Sequence, residues 1–185
     1  LIACGTRPAH SAGIPLDGRH IFDSDQLLTV DSLGKQTIVV GAGVIGLEYA
    51  SMLTALGHTV TVIDQRPTIL DFLDQEMIEA LSYHMRRQGA TFRLGETVIA
   101  VERDARGRVL ARLESGKTVQ GDALLYTVGR QANTEGLALE AAGLQADSRG
   151  RIAVNGAGQT AVPHIYAAGD VIGFPSLAST SMEQG

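Results

Sequence analysis

Apolar residues recur along this chain with two different periods. Thr37-Ile38-Val39-Val40 is a short continuous apolar run bounded by glycine, and it predicts a buried strand. From Leu47 to Leu56 the apolar positions fall at helical spacing and Gly57 supplies a stop, which predicts a helix. Thr59 to Asp64 is β-branched and apolar, the signature of a second strand. A second helix is predicted from near Asp74 to Gly89, with Glu76 in its first turn and Met77, Ile78, Leu81 and Met85 as one core-facing stripe. Between Thr97 and Val119 the pattern changes to alternation. Residues 98–101 and 109–113, joined by the polar turn 103–107, predict an antiparallel meander. Residues 123–128 and 165–168 predict two further buried strands. The chain opens on Leu1-Ile2-Ala3-Cys4-Gly5, which reads as a strand in progress, and closes on Ser181 to Gly185 inside an apparent helix, so a fragment of a longer protein is expected. The polar, proline-containing stretch from Thr6 to Gly34 carries no predicted element.

Composition narrows the function classes. The 185 residues include 22 glycines, about 12% against a usual level of about 7%, so tight turns and close backbone approaches should be frequent. A formal charge of -5 offers no footprint for nucleic acid or an anionic membrane. No run of about 18 apolar residues occurs. The single cysteine, Cys4, cannot form an internal disulfide or a zinc cluster, which fits a reducing cytoplasm; its plain reading is a small buried apolar residue. No metal-ligand cluster, acid pair or Ser-His-Asp order is visible, and His84 and His164 read as a solvated helix face and a turn.

The strongest chemistry lies in Gly41-Ala42-Gly43-Val44-Ile45-Gly46. Its first glycine permits a tight turn out of the strand, the second lets the backbone approach a pyrophosphate, and the third lets helix pack closely on strand. The helix start at Val44 and Ile45 then presents unpaired N–H groups and a positive dipole end to phosphate. Asp64 follows 18 residues after Gly46, at the end of the next strand, where an adenosine ribose would be met. It reads as an acceptor for ribose hydroxyls, favouring NAD, or as a strand-end acid capping the next loop. Arg66, two residues on, could pair with the 2′-phosphate of NADP or be an ordinary surface arginine, since Lys35 and Lys117 are the only lysines among 15 basic residues.

Gly41 to Glu48 with Tyr49-Ala50-Ser51, then Gly129-Arg130 after a strand, then Thr160 followed by Ile165-Tyr166-Ala167-Ala168-Gly169-Asp170, resembles the two-dinucleotide-binding flavoprotein oxidoreductases, the pyridine nucleotide-disulfide oxidoreductase family. The resemblance covers essentially the whole chain. Phe72 to Met77, Leu81 to His84 and Gly173 to Ser179 look most like the members that exchange hydride between NADPH and NAD through FAD. The implied fold class is α/β: a Rossmann-like dinucleotide-binding domain with a parallel sheet and an antiparallel β-meander, flanked by pieces of an FAD-binding domain.

The resemblance also implies roles. Residues 1–30 would end a first FAD-domain segment and cross over, with Cys4 and Gly5 against FAD. Residues 31–159 would be the NAD(P)-binding domain, and 160–185 would re-enter the FAD domain. Gly169 and Asp170 would meet the flavin's ribityl chain and phosphates, and Leu177 and Ala178 would lie near its ring. Gly129 and Arg130 would line the nucleotide cleft, and Glu48 would sit near the nicotinamide. Val44 stands where glutathione reductases place a gating tyrosine, so that gate has no counterpart here. The parent protein would be a homo-oligomer. Alternatives are a disulfide reductase such as a dihydrolipoyl dehydrogenase, an NADH-dependent oxidoreductase of the same fold, and a non-catalytic dinucleotide-binding module.

Overall fold

In a computed structural model, which describes residues 1–11 and 13–185, the first strand, β1 (Thr6–Pro8), pairs antiparallel with a strand from the far side of the sequence, Arg130–Ala132. The chain divides into two compact units. One is His10–Gly129; the other joins Leu1–Ala9 to Arg130–Gly185.

Within the His10–Gly129 unit, β2 (Ile21–Asp23), β3 (Gln36–Val40), β4 (Thr59–Asp64), β5 (Thr91–Leu94) and β9 (Ala123–Tyr126) form a parallel sheet in the order β2-β9-β3-β4-β5. Strands β6 (Val98–Arg103), β7 (Val109–Leu113) and β8 (Thr118–Gly121) form the expected antiparallel meander. Period-two alternation sorts the parallel strands' side chains onto two faces. Val39, Val62 and Leu125 pack with the helices α1 (Val44–Ala55) and α2 (Gln75–Arg87), through Leu47 and Ala50 of the first and Ile78 and Met85 of the second. Ile38, Val40, Ile63 and Leu124 point the other way and pack with Val101, Val109 and Leu113 of the meander. The parallel strands are therefore covered on both faces, which is why they read as unbroken apolar runs.

In the other unit, Arg130–Ala132 is β10, and a core of Ala132, Leu139, Leu144, Ile152, Ala167 and Val171 supports 3-10 turns at Leu139–Ala142 and Gly169–Ile172; the short helix α3 (Ala178–Gln184) follows and buries none of its residues. Among the described residues no helix is long and apolar enough to cross a membrane.

Several expectations are revised. Residues 1–5 and 165–168 are not strands: they make only the isolated bridges Ile2–Ala167 and Gln159–Tyr166, because no neighbouring segment runs alongside for longer. Strand β9 stops at Tyr126 because the Thr127 side chain turns inward to the backbone of β3's end, and Val128 is exposed. The supposed connection 6–34 holds β1, β2 and a 3-10 turn at Gln26–Thr29. Asp17 anchors the start of β2 by accepting the N–H groups of Arg19, His20 and Ile21 at 2.9, 2.7 and 2.9 Å. Because β2 pairs with β9 and β10 pairs with β1, the compact units divide at 9/10 and 129/130. Cys4 is half-buried, with its carbonyl accepting from Asn133 Nδ2 at 3.1 Å.

The α2 stripe is narrower than its sequence suggests: Ile78 and Met85 are buried and Leu81 partly so, while Met77 is 62% exposed. Met85→Ala should accordingly cost about 2–5 kcal/mol, and Met77→Ala should change stability by no more than about 0.5 kcal/mol. Urea unfolding midpoints of the two variants check both values.

Candidate functional site

The sheet order changes direction between β3 and β9: successive strands β3, β4 and β5 run one way and β9 lies on the other side of β3. Open parallel sheets bind ligands at such a switch point, beyond the carboxyl ends of the strands. Here those ends are Gly41 and Thr127. Gly41 has φ +107°, a conformation that side chains rarely adopt, and a Cβ there would stand 2.5 Å from the Thr127 carbonyl oxygen. At Gly46, in the first turn of α1, a Cβ would stand 1.9 Å from the Gly41 carbonyl and 2.6 Å from Thr127 Oγ1. The Thr127 hydroxyl donates to the carbonyls of Val40 and Gly41 at 2.9 and 3.3 Å and fills this junction.

Gly43 differs from its two neighbours. It has ordinary extended dihedrals, and a Cβ would meet only Arg66 Nη2, at 4.0 Å. It is the N-cap of a 12-residue helix, so no side chain caps the helix start, and the first turn contains no acid. The N–H groups at Val44, Ile45 and Gly46 thus keep an uncompensated positive end facing the open side of the turn.

Asp64, at the end of β4, reaches across to this turn. Its Oδ2 accepts the Ala42 N–H at 2.6 Å and Arg66 Nη2 at 2.8 Å, while Oδ1 accepts Arg66 N–H at 2.8 Å and Nε at 3.0 Å. Burial pushes the carboxyl upward, but the Arg66 guanidinium and the Ala42 and Arg66 N–H groups outweigh it and hold Asp64 below the usual carboxylate range. The same pairing raises Arg66.

The structure gathers Gly41, Gly43, Val44, Ile45, Gly46, Asp64 and Arg66 around one turn. Glu48 is exposed on α1, and Val44 is exposed one helical turn before it. Gly129 ends one compact unit and Arg130 begins the other. In that second unit Arg130 donates through Nε to Thr6 Oγ1 at 2.6 Å and through Nη2 to the Thr6 carbonyl at 2.8 Å, and the Thr6 hydroxyl donates to Asp170 Oδ2 at 3.0 Å. Gly5 accepts the Asn133 N–H at 3.1 Å. Gly169 donates its N–H to Gln184 of α3 at 2.9 Å, and Leu177 and Ala178 form the exposed start of that helix. His84 and His164 are both exposed, with His84 on α2.

Sequence reasoning overlooked Ala42, Thr127 and Thr6, which act through a backbone N–H or a hydroxyl. Of these only Thr127 carried a signal, a β-branched hydroxyl closing a buried strand two residues before Gly129.

A family model described as pyridine nucleotide-disulphide oxidoreductase matches residues 1–185. Soluble pyridine nucleotide transhydrogenases of Mycobacterium bovis and Klebsiella pneumoniae are 52% and 48% identical over all 185 residues, and the chain spans 39% and 40% of those proteins. The crystal structure of LpdA from Mycobacterium tuberculosis matches 98% of this chain, and 39% of its own, with TM-score 0.91 and 34% identity. The HOCl-induced flavoprotein disulfide reductase RclA from Escherichia coli matches with TM-score 0.87 and 27% identity, over 98% of this chain and 41% of that one.

A carboxyl held below its unfolded value stabilises the fold at pH above that value, and the contribution is lost as pH falls through the folded pKa. Asp64→Asn should therefore cost about 1.5–3 kcal/mol at neutral pH, the worth of hydrogen bonds to a charged group. The gap between native and variant should close as pH falls from about 4 downward. Urea midpoints measured from pH 7 to the acid limit test this, and a gap constant with pH would contradict it.

Proposed function

Because the chain belongs to the pyridine nucleotide-disulphide oxidoreductase family, we propose that its glycine turn binds nicotinamide dinucleotides and that, in a longer protein, hydride passes between NADPH and NAD by way of FAD. The observation that carries the reading is the contrast among the three glycines: a Cβ at Gly41 or Gly46 meets protein backbone, and one at Gly43 meets almost nothing. Gly43 is thus free of any packing duty of its own, as a glycine facing a ligand should be.

The pyrophosphate would lie over Gly43 on the N–H groups of Val44, Ile45 and Gly46, where the helix end favours negative charge. Asp64 would accept the adenosine ribose hydroxyls, and Arg66 would pair with a 2′-phosphate. A transhydrogenating protein must accept both nucleotides, and an acid and an arginine two residues apart serve that need. Glu48, exposed on the helix that the turn starts, would approach the nicotinamide end. We assign nucleotide binding to the His10–Gly129 unit and contacts with flavin to the other.

The flavin contacts rest on the Thr6–Asp170 pair. One oxygen of Asp170 is held by the Thr6 hydroxyl, and this fixes the carboxylate as an acceptor for the hydroxyls of a ribityl chain. Cys4, Gly5, Gly169, Leu177 and Ala178 would line the same side. Bound FAD supplies two-electron acceptance and release, so that the net reaction, NADPH plus NAD to NADP plus NADH, needs no further reactant. The protein's share is to orient the two ring systems and exclude water. A single free cysteine supports a cytoplasmic setting. Likeness to RclA, a flavoprotein disulfide reductase, favours, as a second reading, a flavin-linked disulfide reductase, which requires a redox cysteine pair beyond Cys4.

Gly43→Val should leave the urea midpoint close to native and abolish NADH and NADPH binding in calorimetric titration. Unchanged affinity in the folded variant would remove the turn from the site. Asp64→Asn should weaken NADH while sparing NADPH, and Arg66→Ala should weaken NADPH more than NADH, each by about tenfold or more for a charge-assisted hydrogen bond.

A further inference from the structure

Arg66 is poised between two carboxylates, and only one of them was legible as part of the turn. Its Nε and Nη2 hold Asp64, whose side chain is 6% exposed, while its Nη1 lies 3.9 Å from Asp71 Oδ1, on a side chain 61% exposed. Asp71 is not loosely tethered. Ile69 and Leu70 immediately before it are buried in the helix-side core, Leu70 has φ +44°, and the Leu73 N–H closes the turn onto the Leu70 carbonyl at 2.9 Å. The buried anchor fixes Asp71 beside the guanidinium.

With Arg66 docked on it, the Asp64 carboxylate accepts four N–H groups, about the number of lone-pair sites it has. A ribose hydroxyl can reach it only if a guanidinium bond is given up. The guanidinium also lies over the open side of the turn, since its Nη2 is the atom nearest a Cβ on Gly43. It must therefore move for any dinucleotide to settle, and the exposed Asp71 carboxylate already lies 3.9 Å from its Nη1.

We infer that Asp71 is a specificity-determining residue: a second dock for the Arg66 guanidinium that frees Asp64 for an unphosphorylated ribose and competes with a 2′-phosphate for the same cation. When the nucleotide lacks a 2′-phosphate, Arg66 moves onto Asp71 and remains paired while Asp64 turns to the ribose. When the nucleotide carries one, the phosphate must draw Arg66 away from Asp71 and also bears that carboxylate's repulsion. Asp71 thus shifts the balance toward NAD in a loop that Arg66 shifts toward NADP. The inference rests on the nucleotide-binding reading proposed above.

The test is calorimetric titration of the 185-residue protein with NADH and NADPH, for native protein, Asp71→Asn, Arg66→Ala and the double variant, with thermal melts to verify folding. Asp71→Asn should weaken NADH about threefold and tighten NADPH about threefold, in keeping with an exposed charge pair, so the affinity ratio moves about tenfold toward NADPH. In the Arg66→Ala background Asp71→Asn should leave NADH affinity unchanged, because the NADH effect acts only through the guanidinium. An unchanged ratio in a folded Asp71→Asn protein that still binds both nucleotides would overturn the inference and leave nucleotide binding standing. An NADH effect equally large without Arg66 would overturn it too. Binding that survives Gly43→Val, or native protein that binds neither nucleotide, would instead overturn the nucleotide-binding reading and this inference with it.

Discussion

Two backbones meet at the end of β3 more closely than any side chain would allow, and most of the unit from His10 to Gly129 is arranged around that contact. The Gly41 carbonyl, the first turn of α1 at Gly46 and the Thr127 junction occupy space that two Cβ atoms would otherwise fill. The helix can therefore begin within a few residues of the strand and lie flat on the sheet, which puts Leu47, Ala50 and Leu53 into the core. The same closeness sets the helix N-terminus beyond the carboxyl ends of β3 and β9. Removing the side chains makes the layer thin enough to pack, and it leaves the unpaired N–H groups of the helix start facing outward.

The charge arrangement follows from the packing. A turn this tight leaves the Ala42 N–H pointing toward the end of β4, in a place too buried for an apolar neighbour to be harmless. Asp64 satisfies it, and Arg66 together with its own backbone N–H satisfies Asp64. The acid at the strand end therefore has a role in the fold itself. This explains why a carboxylate at only 7% residue exposure is tolerated: every one of its acceptor positions is engaged.

The sequence made the centre of the fold legible and its margins obscure. Strand β4 coincides with the apolar run 59–64, and the helix after the glycines and the meander lie where periodicity placed them, because long stretches repeat one pattern. Three-residue strands such as β2 carry too few positions to show a period, and β2 owes its place to an Asp17 turn and to β9. Met77 shows the opposite failure: it has helical spacing and the right hydropathy, but the helix turns it away from the sheet. In the candidate site the glycines and Asp64 were readable from type and spacing. Thr6, Thr127 and Ala42 were not, since a hydroxyl or a main-chain N–H acquires its role only from what the fold brings beside it.

The β1–β10 ladder bears on how the molecule is made. Arg7 meets Asn133 through side chains 126 residues apart in sequence, and Pro8 is opposite Arg130 where the chain leaves and returns. Closing so long a loop costs about 2 kcal/mol more than closing one of ten residues, unless the intervening chain is already compact. On a ribosome residues 6–8 emerge well before residues 130–132, with which they pair. The intervening unit has its own core and its own sheet, so it can condense first and bring the two ends together. Synthesis order and topology then place the pairing of residues 6–8 with residues 130–132 after the folding of the segment between them.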